Sequence, residues 1–109
     1  PVSFTLYFVV DSDTLTAESR SVLENLFAEI ARRPAAEVVV IGHTDRVGTV
    51  QHNDALSLQR AERVRRDLVR LGIPFDRIQV AGRGEREPLV PTAAGVPEPR
   101  NRRVEITVR

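Results

Sequence analysis

The segment Glu37-Val38-Val39-Val40-Ile41-Gly42 constrains the fold more than any other stretch of the chain. It is apolar almost throughout and too short to make a helix of its own. It therefore reads as a strand covered on at least one face. On each side of it lies a longer segment whose apolar residues recur at helical spacing. A covered strand between two helices needs further strands to pair with, which puts the chain in the α/β class.

The partners can be found. Ser3 to Val10 is rich in aromatic and β-branched residues and reads as a first strand. Thr16 is positioned to cap a helix over 17–33, with Leu23, Phe27 and Ile30 on one face, Leu26 close by, and Pro34 ending it. A second helix is expected from about Asn53 or Asp54 to Gly72, which sits where a C′ glycine belongs, with Pro74 beyond it. Arg77 to Gly82 is a third strand. The stretch 82–101 is a loop punctuated by Gly and Pro. Arg103 to Val108 alternates strictly, with Val104, Ile106 and Val108 facing one way and Glu105 and Thr107 the other. The order βαβαββ predicts an α/β two-layer sandwich: a four-stranded mixed sheet with two main helices on one face. At 109 residues this is one domain's worth of chain, read as spanning 1–109.

Composition removes several alternatives. Hydrophobic residues at 41% and charged residues at 28% are ordinary for a folded soluble domain. Without cysteine there are no disulfides and no thiolate metal ligands. All 16 basic residues are Arg, yet the net charge is only +1, so nucleic acid is not an expected partner. No apolar run approaches the roughly 20 residues of a membrane span, so any membrane attachment is expected through a segment outside this chain. The start at Pro1, directly before a strand, reads as an excised domain or a mature form.

The second helix carries the functional signal. On a helical wheel advancing about 100° per residue, Val64, Leu68 and Leu71 continue the side of Ala61 within an arc of about 80°. Toward the N-terminus the same stripe becomes polar, at Asn53, Ser57 and Arg60. Arg63, Arg66 and Arg70 point away and read as a solvated face. Arg60 is the unusual one, because an unpaired guanidinium at the margin of an inward face is costly. The strand before this helix ends in His43-Thr44-Asp45. Ligands of open α/β sheets collect beyond the carboxyl ends of strands, and helix N-termini attract anions. Asp45 and Arg60 should therefore converge at one edge of the sandwich. Two readings remain open. They are a structural ion pair, or opposite charges held apart and hydrated in an open groove for a zwitterionic amino-acid end. In the second, Asp45 takes the ammonium and Arg60 the carboxylate.

The run "GHTDRVG…NDALSLQRAERV…LGI…RI…GRGEREP…NRRVEI" resembles the OmpA-like C-terminal domain shared by OmpA, peptidoglycan-associated lipoproteins and stator proteins of the MotB type. The resemblance spans nearly the whole chain, centred on TD-x(7)-N-x-x-LS-x-x-RA. It implies non-covalent binding of peptidoglycan through the diaminopimelate of the stem peptide, with no cofactor and no catalysis. It further implies anchoring in the periplasm, at the outer membrane or envelope of a Gram-negative bacterium, and leaves a homodimer open. Carried over by motif, the ligand charges are Asp45 and Arg60, flanked by Asn53 and Leu56. Thr44 and Ser57 join them as motif neighbours, Asp11 as one lip of the groove, and Arg102 as a residue that shares the side of Val104. Two departures stand out. "FVVDS" replaces the family's F-D-F-D-S, placing Val9 and Val10 where polar or aromatic residues are common. Pro97 and Pro99 fall where the family has a short helical stretch, which proline disfavours.

Other chemistry finds less support. His43, Asp45 and His52 lack a recognised metal-ligand spacing. Ser57 has no nucleophile elbow around it. Gly82 to Glu85 is not followed by a helix, so it makes no phosphate cradle.

Overall fold

The computed structural model describes residues 1–109. Its elements run β1 (Val2–Tyr7), α1 (Ala17–Ala31), β2 (Val38–Gly42), α2 (Val50–Arg70), β3 (Ile78–Gly82) and β4 (Arg103–Val108), with one-turn 3₁₀ helices at Phe75–Arg77 and Pro99–Asn101. The four strands lie in the order β1-β4-β2-β3. β2 and β3 are parallel, while β4 runs antiparallel to both β1 and β2. This is the mixed α/β sheet expected from the element order. Val38, Val40, Val104, Ile106 and Val108 form the covered face, in one core with Leu26 and Ile30 of α1 and Ala61, Val64 and Leu68 of α2.

Several boundaries differ from expectation. β1 stops at Tyr7 because its partner β4 begins at Arg103, leaving Val9 and Val10 without a ladder. These two valines instead enter an exposed turn in which Asp11 takes a left-handed φ of 47°. An aspartate tolerates that conformation better than most residues. α1 has its Thr16 cap, whose side chain accepts from the Ser19 N–H, but the helix ends at Ala31. Leu26 and Ile30 sit at the centre of its buried face, with Leu23 and Phe27 on the flanks.

α2 begins at Val50, three residues before Asn53, because Thr49 caps it by accepting from the His52 N–H. Gly72 lies just past its end with φ 112°, as the C′ position requires. Leu71 leaves the core stripe and is exposed, and Ile73 is the buried residue beyond the turn. The stretch before β4 does form a helical turn. Pro99 occupies its first turn, where a missing N–H costs nothing, and the Glu98 side chain caps it.

One close approach positions the site. Gly42 and Gly82 are paired neighbours on β2 and β3, directly beneath α2. A Cβ on Gly42 would stand 1.8 Å from the Ser57 carbonyl oxygen, and one on Gly82 would stand 2.7 Å from the Leu58 nitrogen. The two glycines let the helix backbone lie against the sheet. That contact brings the N-terminal half of α2 over the end of β2.

Candidate functional site

A small cleft of about 160 Å³ opens where β2 ends and α2 begins. Val10 and Asp11 form one lip, Val47, Gly48 and His52 the other, and Asp45, Asn53, Leu56 and Arg60 the interior. The cleft lies below the roughly 300 Å³ of sites for drug-sized ligands. It suits the end of one side chain and is too small for a whole saccharide. A larger hollow of about 380 Å³ runs between Arg65, Arg66, Val69 and Phe75. Arg65 and Arg66 there face Glu62 and Asp13 at 3.9 and 3.7 Å, so neither lacks an acidic neighbour.

Arg60 is the largest fully buried side chain of the protein, with no measurable exposure. Sequence reasoning places it on a margin, hydrated in an open groove, and the structure corrects this. Its Nε donates to the Ser12 carbonyl at 2.8 Å, Nη1 to His43 at 2.9 Å and Nη2 to Val9 at 3.3 Å. The guanidinium also stands 5.4 Å from the centre of the Phe8 ring. None of these partners carries a negative charge. Burial pulls the Arg60 pKa down to about 10, against the opposing pull of nearby Asp45. The group stays charged at neutral pH, held by carbonyl dipoles in a setting that favours an added anion.

Asp45 is also buried, but its charge is answered. Oδ2 receives Nη1 of Arg102 at 3.0 Å and the Glu98 N–H at 3.3 Å, while Oδ1 receives the Val47 N–H at 3.3 Å. Asp45 and Arg60 are thus near each other without being each other's ion-pair partner. The simple structural bridge is absent, and so is the symmetric pair of unsatisfied charges.

The remaining candidates divide. Asn53 is almost fully buried and donates through Nδ2 to the carbonyls of Asp45 and Val47 and to Glu85. It clamps the loop that presents Asp45, and Leu56 supplies an apolar wall. Asp11 stands at the lip with its carboxylate 2.6 Å from His52 Nε2. Thr44 and Ser57 lie outside the cleft. Thr44 donates its hydroxyl to the Asp45 carbonyl, and Ser57 Oγ donates to Asp54 and accepts the Gly84 N–H. Both lock the backbone around the site. Arg102 reaches Asp45 from a neighbouring groove beside Tyr7, Val10 and Pro99.

Sequence reasoning missed Val10, Val47, Gly48 and His52 as walls. The capping threonine at Thr49 was the available signal, since a helix starting there places its first turn at the rim. His43, weighed as a metal ligand, faces away toward Arg103 and Glu105. Its Nε2 lies 3.9 Å from Glu105 Oε1, and neither ring nitrogen has a hydrogen-bond partner. Burial first, and Arg103 second, lower its pKa.

A mixed four-stranded sheet with two helices on one face and a charged cleft at the strand end defines an α/β two-layer sandwich with a small binding cleft, and comparison with known proteins gives the family. The model of the OmpA family matches residues 7–102. The chain belongs to that family. Outer membrane protein A of Serratia marcescens is 36% identical over 115 residues, covering 94% of this chain and 32% of that protein. Outer membrane porin F of Pseudomonas fluorescens is 36% identical over 107 residues, covering 98% of this chain and 33% of the porin. The chain thus spans about a third of the length of these relatives. Among solved structures, the peptidoglycan-associated lipoprotein of Burkholderia pseudomallei superposes with a TM-score of 0.86 at 27% identity, covering 96% of this chain and 89% of that one. The C-terminal domain of Helicobacter pylori MotB shares the fold, with a TM-score of 0.82 at 21% identity, covering 97% of this chain and 84% of that one.

Proposed function

We propose that this domain, over residues 1–109, binds peptidoglycan non-covalently in the periplasm of a Gram-negative cell and anchors an envelope protein to the wall. The ligand group is the zwitterionic end of diaminopimelate in the stem peptide. One observation carries the reading: Arg60 is a buried cation whose hydrogen-bond partners are all neutral carbonyls, and it lines a cleft beside a carboxylate. A ligand carboxylate would supply the missing counter-charge, and Asp45 would meet the adjacent ammonium. Leu56 and Val10 would cover the methylene chain between them. The relatives named for the outer membrane and for peptidoglycan association support this reading.

About two charge-assisted hydrogen bonds of roughly 1.5–3 kcal/mol each, together about 3–6 kcal/mol before the cost of association, set a weak complex with a dissociation constant in the upper micromolar to millimolar range. The domain should co-sediment with diaminopimelate-type sacculi and release on addition of a soluble diaminopimelate stem peptide. A folded domain that stays in the supernatant at high sacculus excess would indicate an interaction module of the same fold that has lost its ligand.

A further inference from the structure

The two charges of the cleft are not equivalent. Arg60 touches neutral oxygens alone, whereas Asp45 already holds a cation, Nη1 of Arg102 at 3.0 Å. Both members of that pair are largely buried, with side-chain exposures of 14% for Arg102 and 7% for Asp45. Solvent therefore does little to weaken it. Arg102 does not line the cleft. It comes from the neighbouring groove, so the Asp45 carboxylate stands between the guanidinium on one side and the ligand space on the other. Its position is fixed by the 3₁₀ turn Pro99–Asn101 and by its carbonyl, which accepts the Phe8 N–H at 2.9 Å. Its Nε is buried without a partner, so Asp45 is the only hydrogen-bond acceptor this guanidinium has.

We infer that Arg102 is a specificity-determining positioning residue. By neutralising Asp45 in advance, it makes the cleft demand the ligand's carboxylate first and its ammonium second. The inference rests on the stem-peptide reading above. Asp45, Arg60 and Arg102 together carry one excess positive charge, and the only unanswered member is Arg60. In the cleft interior an incoming ammonium must share Asp45 with Arg102, while an incoming carboxylate meets a guanidinium whose hydrogen-bond partners are all neutral, the Asp11 carboxylate at the lip being already turned to His52. A ligand with the carboxylate alone should thus bind better than one with the ammonium alone.

Three stem tripeptides separate the contributions: one with diaminopimelate, one with 2-aminopimelate (carboxylate only) and one with lysine (ammonium only). Affinities are measured by calorimetry for the wild type, Arg102→Gln and Arg102→Lys, each with a thermal melt. In the wild type, the order should be diaminopimelate, then 2-aminopimelate, then lysine, the last two separated by about tenfold or more. Arg102→Gln should close or reverse that gap by strengthening the lysine peptide, and Arg102→Lys should restore it. A wild type that binds the diaminopimelate peptide but prefers lysine to 2-aminopimelate overturns the inference alone, without any variant having to fold. A folded Arg102→Gln with the wild-type order, or with all three peptides weakened equally, also overturns it. Failure of the wild type to bind any of the three removes the stem-peptide reading and this inference with it.

Discussion

Arg60→Ala separates a side chain that waits for ligand from one that also holds the domain together. The wild-type guanidinium ties Val9 and Ser12 of the β1–α1 turn to His43 at the end of β2. Three hydrogen bonds from a charged donor, at about 1.5–3 kcal/mol each, are lost. Against this, the substitution relieves the burial of a charge. The fall in pKa from 12.5 to about 10 corresponds to roughly 3 kcal/mol. The net expectation is a loss of about 1.5–6 kcal/mol. At about 4 °C per kcal/mol for a domain of this size, the melting temperature should fall by about 6–24 °C. Simple hydration in an open groove would instead leave the melt unchanged or slightly raised. The assay is a thermal melt without ligand, with Arg60→Lys alongside. Lysine keeps the charge but lacks the planar fork, so it should fall between alanine and wild type. Melting of Arg60→Ala within about 2 °C of wild type would refute the claim that these three bonds stabilise the fold. Loss of sacculus binding is then best read from Arg60→Lys at a temperature where it remains folded.

Asp45→Asn keeps the shape and the contact to the Val47 N–H but strands Arg102; it should abolish co-sedimentation with sacculi and lower stability by about 1–3 kcal/mol, measured by denaturant titration. Gly42→Ala drives a methyl into the Ser57 carbonyl and should cost at least about 1–3 kcal/mol, visible as a lower melting temperature and weaker stem-peptide binding; wild-type values for both would contradict the close helix–sheet contact. His43 has a folded pKa lowered by burial from its ordinary 6.5, so the unfolded chain takes up a proton that the folded one resists. Its contribution is present above about pH 6.5 and is lost as pH falls toward the folded value. Melts between pH 7.5 and 5.5 should therefore decline less steeply in His43→Gln than in wild type, and parallel slopes would refute the assignment.

The elements with a strong period were legible because one pattern dominated each. β4 shows its inward valines and isoleucine, and α1 shows both its capping threonine and its apolar face. The start of α2 was not, since Val50, Gln51 and His52 break the amphipathic stripe and only the Thr49 cap marks them as helical. Asp45 and Arg60 could be picked out by charge at a strand end and on an inward helix face. Their inequality could not. It depends on Arg102, which is 57 residues from Asp45 and is delivered by a 3₁₀ turn that its proline argued against. Asn53 shows the same limit: its place in the motif is visible, but its work as a clamp on the 45–47 loop appears only once Glu85 and the two carbonyls are brought to it.

The strand register also sets how the domain would carry a load. Val2, Val108, Val38 and Ile78 align at one end of the sheet, and the cleft lies past the other. A pull between a bound wall fragment and the chain entering at Val2 would run lengthwise along the strands. The backbone bonds between β1 and β4 would then be strained together in shear rather than opened one after another. β1 is an edge strand with β4 as its sole neighbour, so that ladder of six paired residues is the joint expected to yield first. Force applied across the sheet at the same residue would instead peel β1 away one pair at a time, at a far lower load.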